Sequence, residues 1–75
     1  MMVFLTAVGN AEVAINLHEI AFVEPLRPGY WHTASDGRRW LSKTEMTRIV
    51  VSTGHEVIVP RAFKEIEGII ASVAD

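Results

Sequence analysis

Apolar residues recur along this chain first with a period of two and later with the period of a helix. The run from Val3 to Val8 is apolar and β-branched, and it stops at the turn pair Gly9-Asn10. From Glu12 to Asn16 the pattern alternates, with Val13 and Ile15 on one side and Glu12, Ala14 and Asn16 on the other. Successive strand side chains point to opposite faces, so these two runs predict a hairpin with a short connection. Asn16-Leu17-His18 predicts a corner into a third strand over Ile20 to Glu24. Pro25 is expected to end that strand, because proline cannot donate to a ladder. Arg48 to Ser52 and Glu56 to Val59 predict another hairpin around Thr53-Gly54.

From Arg61 the pattern turns helical. Ala62, Phe63, Ile66, Ile69, Ile70, Val73 and Ala74 fall on one arc of a helical wheel. Arg61, Lys64, Glu65, Gly68, Ser72 and Asp75 fall opposite, with Glu67 at the border. Pro60 suits a first helical turn, where its missing N–H is not needed. The sequence thus predicts an α+β fold: one β-rich domain over 1–75, with a small antiparallel β-sheet of five to seven short strands. A single C-terminal amphipathic helix over 60–74 is expected to pack its stripe on the sheet.

Between the third strand and the Arg48 run lies GYWHTASDGRRWL, which holds both tryptophans and the only tyrosine. Asp-Gly between two short strand-compatible runs signals a two-residue type I′ turn at Asp36-Gly37. Ser35 then faces Arg38, Thr33 faces Trp40 and Trp31 faces Ser42. That register puts Trp31, Thr33, Ser35, Arg38, Trp40 and Ser42 on one face, with His32, Ala34, Arg39 and Leu41 on the other. An aromatic ligand or a base held between two indoles, with a guanidinium on an anion, is the chemistry such a face suits. Candidate binding residues are Tyr30, Trp31, Thr33, Arg38, Arg39 and Trp40, within a hairpin at 29–43 inserted over 26–45. The competing structural reading makes the two indoles anchors of the excursion on the sheet or on a neighbouring subunit.

Charge sharpens the contrast between the hairpin and the rest. Pro25 to Arg48 carries five cations (Arg27, Arg38, Arg39, Lys43, Arg48) against Asp36 and Glu45, while the remainder has two cations and seven anions. The net charge is −2, which argues against general coating of nucleic acid, yet the aromatic stretch is also the basic stretch. Hydrophobic residues make up 49% of 75, more than one small core needs, so a homo-oligomer is expected. No apolar run approaches the ~18 residues of a membrane span, so none is expected. The opening MMVFLTAVGNAEV lacks a basic n-region and a small-residue cleavage site, making cytoplasmic location the default.

Little in the chain suggests catalysis. Cysteine is absent, which excludes disulfides and thiolate metal sites. His18, His32 and His55 are scattered, with no HExxH-like spacing, and the serines lack a GxSxG elbow. Glycines at 9, 29, 37, 54 and 68 are isolated and form no phosphate loop. Neither an enzyme, nor a cofactor, nor a metal site is expected.

Outside about Leu26 to Glu45, the segments FLTAVGN, NLHEIAFVE, TRIVVSTGHEVIV and FKEI resemble the small flagellar and swarming-motility protein family of FlbD type. Leu5-Thr6, Gly9, Asn16, Ile20, Val23-Glu24, Thr47, Ile49, Gly54 and Val57 to Val59 carry the resemblance. It implies a small sheet followed by a helix and no catalytic residues, and the hairpin departs from it as an insertion. The leading expectation is a non-catalytic binding and assembly module that self-associates and recognises a protein partner or small anionic ligand through the hairpin. Two alternatives are a single-stranded nucleic-acid-binding or regulatory protein using Trp31, Trp40 and Arg38, and a phage-type protein sequestering a nucleotide signal.

Overall fold

The computed structural model describes residues 1–34 and 36–74. Among them are seven strands and one α-helix: β1 Met2–Ala7, β2 Ala11–Asn16, β3 Ile20–Leu26, β4 Trp31–Thr33, β5 Arg39–Leu41, β6 Met46–Val51, β7 Glu56–Val59 and α1 Phe63–Ala74. Every pairing is antiparallel, and the class is α+β as the periodicities indicate. The strands divide into three small sheets, β1–β2, β3–β6–β7 and β4–β5.

The β1–β2 ribbon keeps the expected alternation. Val3, Leu5, Ala7 and Ile15 point inward and are buried, and Val13 packs against them. Met2, Phe4, Thr6, Glu12 and Ala14 lie on the other face and are exposed. The corner after β2 is a short 3-10 turn, Leu17–Glu19, in which the Asn16 side chain accepts from the His18 N–H at 3.0 Å. Short polar side chains offer that local bond readily, which is why an asparagine marks the corner.

In the second sheet β6 is central, flanked by β3 and β7. Ile49 and Val59 are fully buried, and Ile66 of the helix reaches the same cluster, with Val23, Val51, Val57, Ile69, Ile70 and Val73 around it. Fully burying such a side chain contributes roughly 1.5–3 kcal/mol, so this junction of two sheets and a helix dominates the stability of a chain with few buried residues. Thr47 is buried beside it, its Oγ1 donating to the Arg61 carbonyl at 2.8 Å.

Two expected boundaries move. The third strand does not stop before Pro25 but runs to Leu26, with Pro25 opposite Thr47 and Leu26 opposite Met46. β3 lies at the edge of its sheet, where a residue without an N–H is tolerated if its nitrogen faces away from the neighbour. The helix begins at Phe63 rather than at Pro60. Pro60 and Arg61 instead form a turn, the Arg61 N–H donating to Val59 O at 2.8 Å, and the Ala62 carbonyl receives the first helical donors, Glu65 and Ile66.

The face of the second sheet turned away from the helix carries Glu24, Arg48 and Ile58 side by side. Over this face lies the β4–β5 hairpin, tied to it by Arg48, which donates from Nη2 to the Thr33 carbonyl at 3.0 Å.

Candidate functional site

The hairpin is built upward from a buried base. Gly29 N–H donates to Ser42 O at 2.9 Å, and Ser42 Oγ donates to Arg27 O at 2.9 Å. The same Arg27 carbonyl lies 3.2 Å from His32 Nε2, so both legs of the excursion converge on one backbone oxygen. Ser42 is buried, whereas the sequence pattern places it on a ligand-binding face with Trp31.

The register differs from the expected one by a single residue. Trp31 pairs with Leu41, His32 with Trp40 and Thr33 with Arg39. Ala34 N–H donates to Arg38 O at 2.7 Å, and Gly37 N–H returns to Ala34 O at 2.9 Å, so three positions separate the last bonded pair, Ala34 and Arg38, instead of two. The expected position of Ser35 lies outside the described residues. A type I′ turn needs positive φ at both central positions, yet among them only Gly37 has it, at +90°, and Asp36 does not. Gly37 adopts that left-handed backbone without a Cβ clash. Asp36 stabilises the shape further: its carboxylate accepts from the Arg38 N–H at 3.0 Å and pairs with Arg38 Nε at 2.7 Å. The bond from the Arg38 backbone, followed by the guanidinium, holds the Asp36 carboxyl below its usual range.

A slip of one residue moves every side chain of β5 to the opposite face relative to β4. Trp31, Thr33, Arg39 and Leu41 share the outer face, while His32, Ala34, Arg38 and Trp40 share the inner one. Trp31, Trp40 and Arg38 are therefore not brought together, and the two indoles point apart. Trp40 is partly buried and meets the His32 ring at 5.2 Å between centroids, tilted by 50°. Trp31 is 60% exposed, with the Arg39 guanidinium carbon 5.2 Å from its ring centroid, a cation–π contact. Tyr30, immediately before it, is 63% exposed, and Leu41 is exposed as well. Thus one indole anchors and the other is displayed.

Beneath the hairpin runs an open groove of about 500 Å³, lined by Ala34, Arg38, Arg39 and Trp40 of the hairpin, by Met46, Glu56 and Ile58 of the sheet, and by Val8. Arg48 stands in the same layer, with only 15% of its side chain exposed. It lies 3.2 Å from the Glu24 carboxylate and 3.4 Å from that of Glu56, the latter without the alignment of a hydrogen bond at Nε. In the sequence Arg48 stands out as the start of a predicted strand and as one cation of the basic stretch. Its signal was available: a cation at a strand position whose neighbours across both ladders include glutamates.

His18 and His55 are exposed on separate turns, and no group of three His, Asp or Glu side chains able to hold a metal ion forms among the described residues. Nor is any helix among them long and apolar enough to cross a membrane. No family model, no curated protein and no solved structure matches this chain significantly.

Proposed function

We propose that this chain is a non-catalytic binding and assembly module whose recognition element is the outer face of the β4–β5 hairpin, taking an acidic protein surface or a small anionic ligand. The observation that carries the reading is the display of Trp31, Tyr30 and Leu41 to solvent beside the Arg39 guanidinium. Tryptophan, tyrosine and arginine are enriched among the residues that dominate protein contacts; the two aromatics bury a large surface at little entropic cost, and the guanidinium adds directed charge. Trp40, packed at a tilt against His32 on the other side of the ribbon, holds that face in shape before a partner arrives, which lowers the ordering cost of binding.

The single-strand nucleic-acid reading loses its main support, because a base sandwiched between indoles needs both rings on one side. A protein or small-anion ligand needs only the outer face.

The test uses a Trp40→Phe variant, which leaves Trp31 as the single indole. Its fluorescence is followed against a poly-glutamate peptide, ATP and an oligothymidine at low salt. A blue shift or quenching with the peptide or with ATP, abolished by Arg39→Ala, is the expected result. Indifference of Trp31 to both removes the reading, and a response to oligothymidine alone, weakening steeply with salt, replaces it with the nucleic-acid one.

A further inference from the structure

The β1–β2 ribbon displays a second apolar face. Met2, Phe4 and Thr6 oppose Asn16, Ala14 and Glu12 across the ladder, on the side away from the core. Phe4 at its centre is 77% exposed, the most exposed of the large apolar side chains described. Beside it is a shallow hollow of about 410 Å³, bordered by Phe4, Thr6, Glu12 and Ala14. A phenylalanine held in water at mid-strand contributes nothing to this core, and its ring is fixed by a ladder that keeps it outward.

The charges of the two exposed faces are complementary. Glu12 has no ion-pair partner among the described residues, and Arg39 has none either, its guanidinium lying over the Trp31 ring. Arg38, Arg48 and Arg61 are each matched with a carboxylate of this same chain, while Arg27, Lys43 and Lys64 share the unmatched state of Arg39 but lie away from its aromatic surface in the sequence. One face therefore offers aromatic surface with an unmatched cation, and the other offers aromatic surface with an unmatched anion. The larger charge distribution has the same sense, a basic hairpin on an acidic remainder.

We infer that the outer face of the hairpin docks on the outer face of the β1–β2 ribbon of a second copy of this chain, with Trp31 against Phe4 and Arg39 against Glu12. This deepens the binding reading above, on which it rests, by naming the partner. The contact joins two different surfaces, so it closes as a two-fold pair where each copy gives both faces, and otherwise adds copies head to tail. Desolvating the Arg39–Glu12 pair selects the register, while the rings supply the buried area.

Sedimentation velocity over a concentration series tests this on the intact chain. The wild type is expected to associate as concentration rises. Phe4→Asp, Arg39→Glu and Glu12→Arg are each expected to weaken association by about tenfold or more. The double variant Arg39→Glu/Glu12→Arg restores it, a rescue that a merely disturbed fold cannot produce. All three positions are solvent-facing, and far-UV circular dichroism checks that the variants remain folded. A wild type that stays monomeric throughout, association indifferent to these changes, or a charge swap without rescue each overturns the inference. If the monomeric protein still responds to poly-glutamate through Trp31, only the self-docking is lost and the recognition role stands.

Discussion

Among the described residues Thr47 and Ser42 are the buried polar side chains, and each donates to a carbonyl outside the strand ladders. Thr47→Val keeps the shape but leaves the Arg61 carbonyl without its donor, so unfolding in urea is expected to show a loss of roughly 1–3 kcal/mol. Asp36 acts differently, from the surface. Its carboxyl is held low by the Arg38 N–H and guanidinium, so its contribution is present above the ordinary carboxylate pKa and disappears as pH falls through the lowered folded value. The Arg38 amide resonance should therefore move with a midpoint below the ~3.9 of an unperturbed aspartate, and Asp36→Asn should leave it flat. Residue chemistry of this kind was only partly legible in the sequence. Asp-Gly announced a turn, but nothing in the local string told a serine at the buried base, Ser42, from one on a binding face.

Both glycine-closed loops of the paired strands use one design. Val51 N–H donates to His55 O and Gly54 N–H to Val51 O, the same two bonds that Ala34, Arg38 and Gly37 make at the hairpin tip. Gly54 also lies at positive φ, +92°. Placing alanine in that backbone region costs about 1–2 kcal/mol. Gly54→Ala is expected to lower the global midpoint of unfolding, because β6 and β7 hold the core, whereas Gly37→Ala should raise hydrogen exchange in β4 and β5 and leave core amides protected. Element type was well marked in the sequence, since the alternation around Val13 and Ile15 and the stripe through Ile66 are periodic over whole elements. The hairpin register was not, because Asp-Gly and Ser-Asp-Gly describe overlapping loops that differ by one residue, and that residue decides which face each tryptophan takes. Pro25 misleads for a similar reason: its effect depends on whether the strand has a neighbour on its nitrogen side, which only the sheet order reveals.

At the scale of the molecule, the β1–β2 ribbon, the three-stranded sheet and the helix meet at Val3, Leu5, Ile15, Ile49, Val59 and Ile66. Ile66→Ala is expected to cost about 2–5 kcal/mol. For a domain this small the total is roughly 4–11 kcal/mol, so calorimetry should show the variant near the limit of folding. The candidate site was legible as a composition, aromatic and basic, but not as a geometry, because its two halves separate onto opposite faces and its tether, Arg48, comes from another element. That tether also has a consequence for how the chain could be shortened. Leu26 and Met46 sit directly opposite each other, so residues 27–45 leave the sheet and return to it at one rung. Such an excursion is a cassette. Replaced by an Asn-Gly link, it should yield a smaller protein with the same scaffold, and the vacant rung would accept a graft of different sequence and different specificity.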